Sequence, residues 1–257
     1  IDGRTDHPAV FFKLVRWSIF AGSDMEASPK ISRIRIYPVK SLDGVEVSEA
    51  RFTGSGSLFN DRRYAMVDEA GKKIIGKSTS AVHRLRTKFE FVDSDCLIRF
   101  GENDIVKQLS LSTDRPEIEQ FLSESFQKKI FIVEGNDGSL LDDPVQSQVT
   151  IVSAASIATV AARFGIDPED CRRRFRANIE LDGVPPFWED LLILPGKKPV
   201  PFQIGSVTME GIKPCPRCVV PTRDPVTGVK MPEFHDWFVE LRKALLPDGS
   251  PLESYGN

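Results

Sequence analysis

Cys215 and Cys218 stand three residues apart in the stretch GIKPCPRCVVPTRDPVTG, Gly211 to Gly228, which holds two of the four cysteines of the chain. Thiols at this spacing can close a disulfide or hold a soft metal, and Arg217 lies between them with Pro214 and Pro216 alongside. Structural zinc needs four ligands, commonly two paired clusters, and there is no second pair and no histidine nearby in sequence. A thioredoxin-like dithiol sits between a strand and a helix, whereas Pro221 and Pro225 in VVPTRDP argue against a helix here. Two packed thiols without a role are a further reading, since free cysteine behaves as a small hydrophobe, although Lys213 and Arg217 make the neighbourhood polar. The remaining reading makes one thiolate the ligand of a soft transition metal whose other bonds come from an organic cofactor. A positive neighbourhood favours thiolate over thiol, and flanking prolines stiffen the backbone that aims it.

An anionic cofactor requires basic and small polar groups elsewhere. The chain offers Lys40-Ser41, Asp61-Arg62-Arg63 and the run Arg172-Arg173-Arg174-Phe175-Arg176-Ala177-Asn178. The planar fork of arginine matches phosphate, and lysine supplies a point charge. Taken singly each group reads as a solvated face, and Arg172 to Arg174 are expected to be one.

The elements that must position these residues read as α+β and β-rich. Ile34 and Ile36 alternate with Arg33 and Arg35 in a first strand, Val45 and Val47 start a second, and Tyr64–Val67 forms a third. Phe89 to Val92 and Cys96 to Phe100 flank a hairpin turn at Asp93-Ser94-Asp95. STDRPEIEQFLSESF starts a helix, with Thr113 or Asp114 as cap and Pro116 in the first turn. A second helix covers Ser153 to Phe164 with Gly165 as its stop, and Asp167-Pro168 opens a short third. Strands return at Asn178–Leu181, Leu191–Leu194 and Val207–Glu210, and a last helix runs from about Pro232 to Leu245. Trp188, Trp237 and the C-terminal aromatic stripe are expected in the core.

Composition excludes several classes. A chain of 257 residues, 40% hydrophobic and 28% charged, is long enough to bury a sizeable core. A formal net charge of −3 argues against general nucleic-acid binding. Four cysteines make no disulfide framework, which points to a reducing, cytoplasmic setting, and three scattered histidines make a histidine-built metal centre a poor fit. Residues 1–24 read as a leader or a cloning-derived segment before Met25, and their apolar run AVFFKLVRWSIFAG is too short and too charged for a membrane span of about 20 residues.

In their order, four segments resemble landmarks of the MOSC family, named for the C-terminal domain of molybdenum cofactor sulfurases. They are YPVKSLDGVEV, NDRRYAMVDEAGK, RRRFRANIELDG followed by FWEDLL, and PCPRCVVPTRDPVTG. The resemblance implies an N-terminal β-barrel-like domain at 30–115 and a MOSC β-barrel domain with flanking helices at 116–257. It implies a molybdenum cofactor (Mo-molybdopterin) with Cys218 as the protein ligand to the metal. Arg176 and Asn178 would contact the cofactor, with Lys40, Ser41 and Arg62 reaching it from the N-terminal part. Ser156 in VSAAS matches a position of a small hydroxyl, and Cys215 and Arg217 flank the ligand. Ala177 stands where the family usually has proline.

The arrangement is similar to the amidoxime-reducing branch of the family and its bacterial relatives. That implies an oxidoreductase reducing N-hydroxylated small molecules (amidoximes, hydroxylamines). No ferredoxin-like cysteine cluster follows, so electrons would come from a separate donor protein of ferredoxin, flavoprotein or cytochrome type. The alternatives are a carrier of molybdenum cofactor or of sulfur as a persulfide on Cys218, and a degenerate scaffold. The ending SPLESYGN is shorter than in typical members, which continue through a further strand and a GD turn, and this favours the scaffold.

Overall fold

The computed structural model describes residues 11–13, 29–101, 107–135, 140–141, 149–194, 198–215 and 217–245. The expectations about residues 1–24 and the C-terminal end, and the stiffening role of Pro216, fall wholly or largely outside these.

The chain runs through β1 (Phe11–Lys13), β2 (Lys30–Ile36), β3 (Val45–Val47), β4 (Glu49–Arg51) and β5 (Tyr64–Val67) into a one-turn helix α1 (Ala81–Arg84). Next come β6 (Thr87–Val92), β7 (Asp95–Phe100), β8 (Leu109–Ser110), α2 (Arg115–Phe126) and β9 (Phe131–Glu134). The second half holds β10 (Ile151–Ser153), α3 (Ala154–Phe164), α4 (Pro168–Phe175), β11 (Ile179–Asp182) and a 3-10 turn at Trp188–Leu192. It continues with β12 (Ile193–Leu194), β13 (Lys198–Ile204), β14 (Val207–Gly211), a 3-10 turn at Val220–Thr222 and α5 (Phe234–Ala244).

The sheet that matters for the site has the strand order β10-β11-β2-β3. β10 lies parallel to β11, while β2 is antiparallel to both its neighbours β11 and β3, so strands from the N-terminal part and from the second half of the chain share one sheet. β2 buries Ile31, Ile34 and Ile36, which are not in a single period-2 phase. The register shift between Glu180 and Leu181 on β11 absorbs the extra residue. On one side of this sheet Ile179, Leu181, Trp188, Leu192 and Ile204 join the β2 isoleucines in one core. A second core gathers Tyr64, Met66, Phe89, Ile98, Phe100, Ile118 and Leu122 in the N-terminal part. A third lies among the helices, around Ile157, Phe164, Cys171, Phe187 and Phe234.

No sheet closes fully into a barrel among the described residues: the strands are short, and the sheets hold two to four of them over separate cores. Three sequence expectations need correction. Arg172 to Arg174 are not a solvated face. Arg172 grips Glu180 through Nε at 2.7 Å and Nη2 at 2.8 Å, and Arg174 is only 3% exposed. An eight-residue helix packed on a sheet and on the cysteine segment leaves only Arg173 outward, loosely paired with Asp170. The strand expected at Leu191–Leu194 is mostly the 3-10 turn, with only Ile193–Leu194 extended. Trp237 is 37% exposed and covers Phe164 from outside at 5.8 Å between centroids rather than lying in the core.

Candidate functional site

The C-terminal end of α4 and the start of β11 deliver Arg176 and Asn178, and the loop before β5 delivers Arg62. Asn178 is 2% exposed, and each polar atom of its side chain is engaged. Its Nδ2 donates to the Arg35 carbonyl at 3.1 Å, while its Oδ1 accepts from Arg62 Nη1 and Thr150 Oγ1, both at 3.1 Å. Arg62 also donates through Nη1 to the fully buried Asp61 and through Nη2 to the Arg176 carbonyl at 3.3 Å. Asp61 in turn accepts from the Tyr37 amide at 2.8 Å.

The Tyr37 ring carries two cations. The guanidinium carbon of Arg176 stands 4.1 Å and that of Arg62 4.6 Å from its centroid, a favourable geometry for cation–π attraction. Burial, reinforced by the Arg62 charge, brings the Arg176 guanidinium down to about 10, which leaves it a cation at neutral pH. Burial likewise raises the Tyr37 phenol, so the ring stays neutral, with its hydroxyl donating to the Ala177 carbonyl at 3.3 Å. Arg176 Nη2 is buried without a hydrogen-bond partner. Ser41, Arg62 and Arg176 all adopt left-handed backbone (φ 72°, 49° and 57°), a strain that non-glycine residues carry mainly where the surroundings impose it.

The cysteine segment is tied to the same place by two arginines. Arg174 donates through Nη1 to the carbonyls of Pro221 and Arg223 at 3.1 and 2.6 Å. Arg217 reaches back to the Phe175 carbonyl at 2.6 Å, the residue before Arg176, and donates to Cys215 Sγ at 3.4 Å. Cys215 and Cys218 are both exposed free thiols. The loop at 76–80 closes against this segment through two glycines. A Cβ on Gly228 (φ 72°) would meet the Ser80 carbonyl at 2.6 Å, and one on Gly76 would meet His83 Nε2 at 3.1 Å and Val220 at 3.3 Å. His83 Nε2 is buried without a partner, and burial followed by the Arg223 charge lowers its pKa, which favours neutral imidazole.

Of the sequence candidates, the structure brings Arg62, Arg176 and Asn178 into direct contact, and joins Cys215, Arg217 and Cys218 to them through Phe175. Ser41 Oγ accepts from the Gly76 amide at 3.2 Å, beside His83. Lys40 is 8% exposed and donates to the Leu140 carbonyl at 2.8 Å. Ser156 lies in a different group: it donates to Glu189 Oε1 at 2.9 Å, accepts from the Phe187 amide at 2.6 Å and meets Ser153 Oγ at 2.8 Å. Sequence reasoning missed Tyr37, Asp61, His83 and Arg223. Tyr37 and Asp61 sat inside the motifs that were read, but only the fold shows a ring beneath two arginines.

These residues fit a molybdopterin-type group. Arg62 holds the buried Asp61 carboxylate, Arg176 stands over the same Tyr37 ring, and the orphaned buried donor on Arg176 suits a phosphate that would complete it. Among the described residues no group of three or more His, Cys, Asp or Glu could hold a metal by protein ligands alone. An exposed thiol that contributes one bond, with the organic part contributing the others, agrees with that donor set.

Sequence comparison defines the class. The MOSC N-terminal beta barrel domain matches residues 28–138 and the MOSC domain residues 134–250, so the chain belongs to the MOSC-domain family. Among individual proteins it is similar to mitochondrial amidoxime reducing component 2 of Bos taurus, 26% identical over 243 residues, covering 77% of this chain and 68% of that one. Mitochondrial amidoxime-reducing component 1 of Homo sapiens is 24% identical over 250 residues, covering 77% and 67%. Molybdenum cofactor sulfurase of Caenorhabditis briggsae is 34% identical over 88 residues, 34% of this chain and 12% of that protein. Among the described residues no helix is long and apolar enough to cross a membrane.

Proposed function

We propose that this protein is a molybdenum-cofactor-dependent oxidoreductase that reduces N-hydroxylated compounds to the corresponding amine or amidine, with electrons from a separate donor protein. The observation that carries the reading is the buried, unpartnered donor of Arg176 beside Arg62, one residue from the carbonyl that Arg217 ties to the Cys218 segment. Cys218 is the thiolate ligand. Arg176 and Arg62 compensate the charge of the phosphate, Asp61 and Asn178 fix the direction of Arg62, and Arg217 holds the cysteine loop in place. The bound metal supplies two-electron redox chemistry, and the protein supplies binding, orientation and electrostatics. The overall balance is R–NH–OH plus two electrons and two protons to R–NH2 and water. Similarity to amidoxime reducing components supports the substrate class.

The test is the molybdenum and pterin content of protein from a cofactor-competent host, with reduction of an amidoxime by a viologen donor. Near-stoichiometric metal with turnover, both lost in Cys218→Ser, is the expected result. A folded protein that binds no cofactor, or a Cys218→Ser variant that keeps both, overturns the assignment. A carrier of cofactor or of sulfur is the second reading, favoured by the match to molybdenum cofactor sulfurase and by the exposed Cys218. Loaded protein without turnover would select it.

A further inference from the structure

We infer that the groove onto which Cys218 opens admits the substrate and selects N-hydroxylated compounds that carry a negative charge on an otherwise apolar body. The inference rests on the reading of Cys218 as metal ligand: a metal held by the exposed thiol would lie at this groove, and a compound reduced there would enter through it. The groove encloses about 480 Å³ and is lined by Arg217, Cys218, Thr222, Lys230, Met231 and His235 among others.

Its charge is one-sided. Arg217 and Lys230 bring two cations to the lining and no lining residue is acidic, while Arg223, opposite Lys230 in an antiparallel bridge, adds a like charge behind the wall. Among the described residues no carboxylate forms an ion pair with Lys230, Arg223 or Arg217. Arg223 donates to the Gly228 carbonyl at 3.1 Å and Arg217 to the Phe175 carbonyl at 2.6 Å, contacts that hold the guanidiniums without neutralising them. The Arg223 Nε and Arg217 Nε are buried without partners. Asp224 is engaged elsewhere, 3.8 Å from Arg174 and bonded to the Val226 and Thr227 amides. His235 adds less, because its Nδ1 lies 3.3 Å from Asp236. Met231 gives the groove an apolar wall. An anionic substituent remote from the N–OH group would be drawn to Lys230 and Arg217 and is itself unchanged by the reaction.

Two experiments decide it. With cofactor-loaded protein and a viologen donor, N-hydroxybenzamidine is compared with its 4-carboxylate at low ionic strength. The carboxylate should show a KM lower by about threefold to tenfold, as a partly exposed ion pair predicts, and Lys230→Glu should reverse the ratio. Equal KM values, or an advantage that survives Lys230→Glu, overturn the inference. With cofactor-free protein, Cys218 is alkylated with iodoacetate or iodoacetamide, and trypsin cleavage after Arg217 separates its peptide from that of Cys215. The iodoacetate preference at Cys218 should fall about threefold to tenfold in Lys230→Glu, and an unchanged preference refutes a charge-selective groove. Protein that binds no molybdenum refutes the metal-ligand reading and the substrate assignment with it, whereas loaded protein with no charge preference refutes the selectivity alone.

Discussion

Two polar clusters within one fold put their hydrogen-bonding groups to different use. Around the N-terminus of α3, Ser153, Ser156 and Glu189 satisfy one another: Ser153 Oγ caps the Ser156 amide at 2.9 Å, and Glu189 takes the Ser156 hydroxyl at 2.9 Å and the Ser153 amide at 3.3 Å. Outside this closed set, Asp190 pairs with Arg242, whose guanidinium lies 3.6 Å from the Phe187 ring centroid. Around Tyr37, in contrast to the Ser153, Ser156 and Glu189 set, Arg62 holds the Asp61 carboxylate while Arg176 on the same ring keeps a buried donor unfilled. Closed polar networks rigidify a core, while open ones cost stability unless something binds. The first cluster therefore holds the fold, and the second is shaped for a ligand.

That contrast can be broken by substitution, with folding stability as the common readout. The largest loss belongs to Asp190→Ala, which removes the carboxylate paired with the buried Arg242 and should cost about 3–5 kcal/mol by urea unfolding. Next comes the pH response of Glu189, whose carboxyl burial pushes up to about 7. A carboxyl raised in the folded state stabilises below its unfolded value of about 4.3 and loses that contribution as pH rises through about 7, roughly 2–3 kcal/mol in all. Melting curves between pH 5 and pH 8 should fall more steeply with pH in the wild type than in Glu189→Gln, which keeps only the other titrating groups such as His83. Ser156→Ala should cost about 1–2 kcal/mol by leaving the Phe187 amide without its acceptor, while cofactor content per folded molecule stays constant. Smallest on this scale is Arg176→Met, expected within about 1 kcal/mol of wild type because a buried cation leaves together with its desolvation cost. The comparison is sharpened by a second readout there: molybdenum retained after gel filtration should fall at least about tenfold, as loss of a charge-assisted phosphate contact implies. A stable Asp190→Ala, or an Arg176→Met protein that keeps its metal, would erase the distinction between the clusters.

The elements were largely legible, because period and caps are local. Tyr64–Val67 appears with the bounds its pattern suggested, and α3 starts after Ser153 and stops at Gly165 as read. β13 escaped because Pro199 and Pro201 speak against a strand; Pro199 lies opposite Ile193 of the short β12, beyond which no strand pairs with that side among the described residues. Strand partners were not legible at all, since alternation fixes which face of β2 is buried but not that β11 lies beside it. In the candidate site, family motifs pointed to Arg62, Arg176 and Asn178. Arg62 and Arg176 are 114 residues apart, however, and no local signal announces that they meet over Tyr37. Arg174 misled for the reverse reason: a run of three arginines looks solvated until the cysteine segment is folded over the last of them.

The shared sheet also sets a timetable for synthesis. Ser32 on β2 bonds to Glu180 on β11, 148 residues later. At about 5–20 residues per second, a ribosome needs roughly 7–30 s to deliver the second strand after the first. During that interval β2 has an open hydrogen-bonding edge and three isoleucines with no opposing core. The nascent chain therefore depends on β3, the one neighbour made early, or on a chaperone, to keep that edge from pairing with another molecule.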